Sequence, residues 1–170
     1  MGKVLITDID STMSDHWKRI RRNTHPWPGG VVNSIAFTKD EVLKDSLLPD
    51  CLFVLYKLIN DGWRVRYLSA RSWPDAASIT KLQLTKWGVP NPDDFILCNN
   101  MQSKIDVLKR DLGFCDYYVD DFMTGQEKAI GTFHKDVAET IQVIGIRVLV
   151  FRNNWLDIWE QIRLLEEVKE

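Results

Sequence analysis

Asp8 and Asp10 are the residues whose type and spacing most directly invite chemistry. They stand two apart at the end of the apolar run Lys3 to Ile9, so an extended backbone through them turns both carboxylates to one side. One of the pair can then attack an electrophile while the other handles protons. Against phosphorus, in-line attack by Asp8 gives an aspartyl-phosphate, and Asp10 can protonate the leaving oxygen and then deprotonate the hydrolytic water. Bringing an anionic nucleophile to an anionic phosphate requires positive charge, which Mg²⁺ held by hard carboxylate oxygens supplies. Asp120 and Asp121 are the further ligands at hand, with the direct one of the two left open. Their other reading is a cap on the segment that follows.

Three more residues fit the same chemistry. Ser69 closes an apolar run, and its hydroxyl with the backbone N–H groups that follow, at Ala70 and Arg71, can hold phosphate oxygens. Arg71 itself either touches substrate or pairs with a helix acid. Lys104 can bring a fixed charge to the transition state, although a lysine near a helix start is ordinarily solvated. The Asp-x-Asp-x-Thr string is not a calcium loop, since Met13 stands where an EF-hand needs Gly and Arg19 where it needs Glu.

These residues need a scaffold that gathers them. The apolar run at 3–9 and the short segments 64–69, 95–98, 116–119 and 146–151 read as strands. Between them, helical spacing predicts helices over 47–60, stopped by Asp61-Gly62; over 75–87, bracketed by Pro74 and Gly88; and over 103–112, capped by Ser103 and closed by Gly113. Trp155, Ile158, Trp159, Ile162 and Leu165 share one face of a last amphipathic helix, where tryptophans at this spacing belong to the core. Strands alternating with helices predict an α/β fold: a doubly wound, mainly parallel, five-stranded Rossmann-like sheet. Ligands bind beyond the carboxyl ends of such strands, where Asp8, Asp10, Ser69, Arg71, Lys104, Asp120 and Asp121 all fall. The segments 13–46 and 122–135 break the alternation.

Asp8-Ile-Asp10-Ser-Thr12, Ser69 in Tyr-Leu-Ser-Ala-Arg, Lys104, and Val119-Asp120-Asp121 together resemble the four ordered motifs of the haloacid dehalogenase (HAD) superfamily of phosphatases. The resemblance implies Asp8 as nucleophile, Asp10 as general acid and base, Thr12 as a supporting hydroxyl, Ser69 and Lys104 as phosphate holders, and Asp120 or Asp121 as a metal ligand. It further implies that Asp8 binds Mg²⁺ through its side chain and Asp10 through its backbone carbonyl. Ser11 departs from the Gly usual in that family and tightens the demand on the local turn. Residues 13–46 are too short for a full cap domain, which implies an open site with a small lid and a large substrate. Among subfamilies, the chain looks like the polynucleotide 3'-phosphatases and deoxyribonucleotidases. Lipin-type phosphatidate phosphatases share the Tyr-Leu-Ser-Ala-Arg-Ser string, but no amphipathic membrane-binding segment accompanies it here.

The cationic stretch Lys18 to His25, with Arg19, Arg21 and Arg22 between Trp17 and Trp27, suits a nucleotide or nucleic-acid end, or else forms a solvated helix face. A phosphoprotein substrate and a non-catalytic phosphate-binding module on the same fold are the remaining alternatives. With 170 residues, 45% apolar and 27% charged, one domain over 1–170 is expected. The net charge of -2 gives no global attraction for nucleic acid or an anionic membrane. Cys51, Cys98 and Cys115 lack metal or disulfide spacing and read as reduced thiols. Met1-Gly2 suggests myristoylation, yet position 6 is Ile rather than Ser or Thr. A soluble, cytoplasmic protein without a membrane partner is the expectation. No phosphate-binding Gly-x-x-x-x-Gly-Lys loop of a kinase appears.

Overall fold

A computed structural model describes residues 2–110, 115–124 and 131–168. In chain order it runs β1 (Val4–Thr7), α1 (His16–Arg22), β2 (Thr24–His25), β3 (Val31–Val32), a 3₁₀ turn (Ser34–Phe37), α2 (Lys39–Val42), α3 (Cys51–Asn60), β4 (Arg64–Ser69), α4 (Ala76–Trp87) and β5 (Phe95–Leu97). It continues with α5 (Met101–Arg110), β6 (Tyr117–Asp120), β7 (Met123–Thr124), β8 (Thr132–Phe133), α6 (Lys135–Val143), β9 (Arg147–Val150) and α7 (Trp155–Glu167). The main sheet has five strands in the order β5-β4-β1-β6-β9, and each neighbouring pair is parallel. The expected doubly wound α/β sheet is what forms.

Alternation along the strands divides the core into two layers. Leu5, Val65, Tyr67, Tyr117, Val119 and Leu149 face one side, where Val54, Leu55 and Leu58 of α3 and Trp155, Ile158 and Ile162 of α7 cover them. Ile6, Leu68 and Tyr118 face the other side, against Ile105 and Leu108 of α5 and Val137 and Ile141 of α6. Each such aliphatic side chain stabilises the fold by about 1.5–3 kcal/mol through burial. The chain leaves central β1 toward β4 and β5, then returns to β6 on the other flank. That reversal opens a crevice at the carboxyl end of β1, the place where a parallel sheet receives a ligand.

Several element limits differ from the sequence expectations, each for a local reason. The helix expected from Leu47 begins at Cys51, because Leu47 bridges Ser14 and Pro49-Asp50 intervene, with Asp50 at φ 62°. Ser103 does not cap α5. Asn100 does, its Oδ1 accepting from the Ser103 N–H at 2.9 Å, so the helix starts two residues early. The predicted closure at Leu112 and Gly113 lies outside the described residues. Helix α6 was not expected; its Val137, Ala138 and Ile141 are buried, but they follow a polar stretch that hid the period. Gly88 ends α4 at φ 69°, the left-handed geometry that glycine adopts at a helix end without a Cβ penalty. Residues 13–46 form α1, the β2–β3 ribbon, the 3₁₀ turn and α2. No helix among the described residues is long and apolar enough to cross a membrane.

Trp155 ties this scaffold to the reactive loop, since its buried indole N–H donates to the Thr12 carbonyl at 3.0 Å. Trp155→Phe should therefore lower stability by about 1–3 kcal/mol, the cost of stranding that acceptor. A shift in the urea midpoint reads the loss, and an unchanged midpoint would mean that α7 does not anchor the loop.

Candidate active site

The first turn after β1 brings the reactive groups to the crevice. Asp8 still donates its N–H to the Val119 carbonyl at 2.9 Å, so it is held as an extension of the strand. Ser11 then turns the chain at φ 65°, and its hydroxyl meets His16 Nδ1 at 2.7 Å. The sequence departure at Ser11 thus sits in a conformation that glycine adopts more readily. The two carboxylates acquire separate partners: Asp8 faces Lys104, and Asp10 faces Arg71.

Lys104 is buried, with its ammonium between Asp8 Oδ1 at 2.8 Å and Asp120 Oδ2 at 2.7 Å. The solvated lysine considered from sequence is therefore ruled out. Burial opposes its charge, but Asp120 and Asp8 hold it well above the ordinary lysine range. Thr12 is fully buried; its hydroxyl donates to Asp8 Oδ2 at 3.2 Å and accepts the Asp121 N–H at 3.0 Å. It supports the acids and does not line the cavity. Asp120 already accepts from Lys104, the Tyr118 hydroxyl and the Phe122 N–H. Asp121 accepts the Met123 N–H at 3.1 Å through Oδ1, which leaves its other oxygen more available.

Oxygens of Asp8, Asp120 and Asp121 lie within 4.8 Å of one another. With all three carboxylates ionised, the one ammonium of Lys104 would leave an excess of two negative charges. Desolvation, with Asp120 and Asp10 adding to it against the pull of Lys104, raises Asp8 to about 7. Desolvation together with Asp120 and Asp8 raises Asp121 to about 9. A hard donor set with this charge imbalance fits a divalent cation.

Asp10 is gripped by Arg71 in a two-pronged pair, Nε to Oδ2 and Nη2 to Oδ1 both at 2.8 Å. Desolvation works against its charge, yet Arg71, His16 and Arg19 hold it well below the usual carboxylate range. Arg71 has no exposed side-chain surface, and its remaining donors reach Thr80 Oγ1 at 2.9 Å and Gln83 Oε1 at 2.7 Å. Its sequence alternatives resolve into an acid partner, but that acid is Asp10 rather than a helix residue. Ser69 donates to Asp10 Oδ2 at 3.3 Å.

A cavity of about 460 Å³ opens over these groups, lined by Asp8, Asp10, Ser69, Ala70 and Lys104. His16, Arg19, Phe37, Trp73, Asn99 and Asn100 also line it. Sequence reasoning missed His16, Phe37, Trp73 and the two asparagines. A signal for Trp73 was present in its place two residues after Arg71, whereas Phe37 reaches the site only through the folding of 13–46.

The cationic stretch divides in a way its sequence does not show. Arg19 is buried, donating Nε to both Asp45 oxygens at 3.1 Å and Nη1 to the Ala36 carbonyl, with Nη2 at 3.5 Å from Asp10. Arg22 pairs with Glu41 at 2.8 Å, and Lys18 pairs with Asp15. Arg21 is exposed, its guanidinium 5.3 Å from the Trp27 ring. Trp17 and Trp27 contact each other edge to face at 6.4 Å, and neither lines the main cavity. The stretch is thus largely paired within the fold.

No protein-family model matches the chain, and no curated protein matches it by sequence. Among solved structures it is similar to the Class C acid phosphatase from Bacillus anthracis, with TM-score 0.56 and 16% identity over 89% of this chain and 67% of that one. The same phosphatase with tungstate bound gives TM-score 0.56 and 15% identity, over 90% and 68%. At this identity the likeness is one of fold.

The buried and exposed cations should separate in a stability measurement. Arg71→Met and Arg19→Met each strand a carboxylate and should cost about 3–5 kcal/mol, whereas Arg21→Ala should stay within about 0.5 kcal/mol of wild type. Urea denaturation reads the difference, and equal effects at the three positions would contradict the pairing.

Proposed function

We propose that the chain is a Mg²⁺-dependent phosphomonoester hydrolase of HAD type, working through an aspartyl-phosphate on Asp8 and acting on a nucleotide or a nucleic-acid terminal phosphate. The observation that carries this reading is Asp8 itself. It is oriented by Lys104 and Thr12, opens onto a cavity of about 460 Å³, and stands within 4.8 Å of the Asp120 and Asp121 oxygens. The fold shared with a Class C acid phosphatase points the same way.

In this mechanism Asp8 attacks phosphorus, and Ser69, the Ala70 backbone and Lys104 hold the phosphoryl oxygens. Bound Mg²⁺ supplies the positive charge that lets a carboxylate approach a phosphate. Asp8, Asp120 and Asp121 would hold it, with the Asp10 carbonyl, and Asp121 is the better direct ligand of the adjacent pair because one of its oxygens is less committed. Arg71 acts on Asp10 rather than on substrate. Asp10 lies ionised in that pair, so it has a site for the proton of the hydrolytic water although Arg71 weakens it as a base, and it must first gain a proton before it can release a leaving group.

Asp8→Asn should reduce hydrolysis of an aryl phosphate to background while the protein stays folded, and excess chelator should do the same to wild type. Persistence of activity in either case would remove the nucleophile or the metal. A screen with Mg²⁺ against nucleotides, 3'- and 5'-phosphorylated oligonucleotides, phosphopeptides and phosphatidate tests the substrate class, with highest kcat/KM expected for the nucleotide group.

Asp10→Asn should cost about 10²–10⁴-fold on an alkyl phosphate and much less on a substrate whose leaving group needs no proton. Because Arg71 keeps Asp10 deprotonated far into the acid range, its protonated fraction grows as the pH falls. The ratio of alkyl to aryl phosphate hydrolysis should therefore rise on acidification. A ratio that stays flat would exclude Asp10 as proton donor.

A further inference from the structure

The two arginines nearest Asp10 each lie near an aromatic ring. The Arg71 guanidinium lies 5.5 Å from the Trp73 ring centre, and the Arg19 guanidinium 5.9 Å from the Phe37 ring. The two rings meet at 5.6 Å with planes inclined by 45°, so they form one continuous aromatic wall. Both side chains are half-buried and both line the cavity that holds Asp8 and Asp10. They come from separate parts of the chain: Phe37 closes the 3₁₀ turn in the insertion, and Trp73 follows β4.

Position gives this wall a chemical meaning. The leaving group of a phosphate ester lies beside the residue that protonates it, which is Asp10 in the mechanism above. Whatever the leaving oxygen is attached to therefore comes next to the two rings, which line the same cavity as Asp10. A planar, polarisable group suits such a surface, because it can stack on the ring faces at little entropic cost. Among the described residues, the Trp73 indole N–H is the buried side-chain donor without a hydrogen-bond partner. Burying an unmade donor is unfavourable, and the ring nitrogens or carbonyl oxygens of a base are acceptors of the kind that satisfies one. Polar side chains of Asn99 and Asn100 line the same cavity.

We propose that Phe37 and Trp73 form the base-holding wall of the site, which selects phosphate monoesters whose leaving group carries a purine or pyrimidine. The assignment rests on the phosphatase reading of this cavity. It moves substrate selection away from the cationic stretch at Lys18 to Trp27, whose arginines are largely paired, to two rings that touch the reactive groups through Arg19 and Arg71.

The test compares kcat/KM for adenosine monophosphate, as its 3' and 5' isomers, with that for ribose 5-phosphate. Wild type should favour the better adenosine isomer by about ten- to hundredfold, the size expected of one base–aromatic stack. Phe37→Ala and Trp73→Ala should each lower that ratio by about tenfold, chiefly through KM for the nucleotide. Trp73→Phe, which keeps a ring, should retain most of it. A wild-type ratio near one would overturn the base-holding role while leaving the phosphatase intact, as would equal losses on both substrates. If Trp73→Ala does not fold, Phe37→Ala and Trp73→Phe decide through the same ratio. If wild type hydrolyses neither compound, the phosphatase reading is decided separately by the aryl phosphate assay and the substrate screen above. Calorimetric titration of adenosine 5'-monophosphate into wild type and Phe37→Ala then still decides, with weaker binding in the variant expected and equal affinities overturning the proposal.

Discussion

A buried ammonium between two buried carboxylates is the constraint on which this site depends. Lys104 is held 2.8 Å from Asp8 and 2.7 Å from Asp120, and those residues come from α5, the end of β1 and β6. A charge taken so far from water is tolerable only when paired and hydrogen-bonded, so the three elements cannot drift apart without a large penalty. The parallel sheet provides the spacing, since β1 and β6 are adjacent strands whose ends open at one edge. The Asp121 N–H then closes the arrangement by donating to the buried Thr12 hydroxyl. One ammonium does not balance three carboxylates, and the proposed divalent cation answers that residual charge.

The second charged cluster does different work. Asp10 is clamped by Arg71, and Arg71 is clamped in turn by Thr80 and Gln83 of α4. Gln83 also donates to the Val42 carbonyl at 2.7 Å, and Arg19 links Asp45 and Ala36 to the edge of Asp10. Residues 13–46 are therefore joined to the reactive carboxylate by a continuous chain of polar contacts. The physical consequence is pre-organisation: the proposed proton-handling carboxylate has little freedom to leave its place. The same arginines carry Phe37 and Trp73, so the network that fixes Asp10 also positions the proposed wall for the leaving group.

What was legible in the sequence follows from which interactions are local. Strand β4 was readable to the residue because Val65, Tyr67 and Leu68 stand between the turn at Gly62 and the polar stretch after Arg71. Asp8, Ser69, Lys104 and the Asp120-Asp121 pair were found because the ends of parallel strands must converge, whatever the details of the loops. The fate of Arg71 was not readable, since its partner Asp10 is 61 residues away and nothing local distinguishes a buried guanidinium from an exposed one. Arg19 misled for a related reason. It stands in a run of cations, but its place on α1 turns it inward to Asp45, 26 residues on, while Arg21 points to solvent. Phe37 could not be found at all without the insertion's fold, because no periodicity marks a four-residue 3₁₀ turn.

The central claim is that Asp8 becomes covalently phosphorylated, and mass spectrometry of acid-quenched protein tests it most directly. After brief mixing with Mg²⁺ and a phosphate ester that turns over, the peptide containing Asp8 should carry one phosphate. That phosphate should be lost on mild alkaline treatment, as an acyl phosphate is, and should be absent from Asp8→Asn. A phosphate found on any other residue, or turnover with no phosphorylated species at any quench time, would contradict the account.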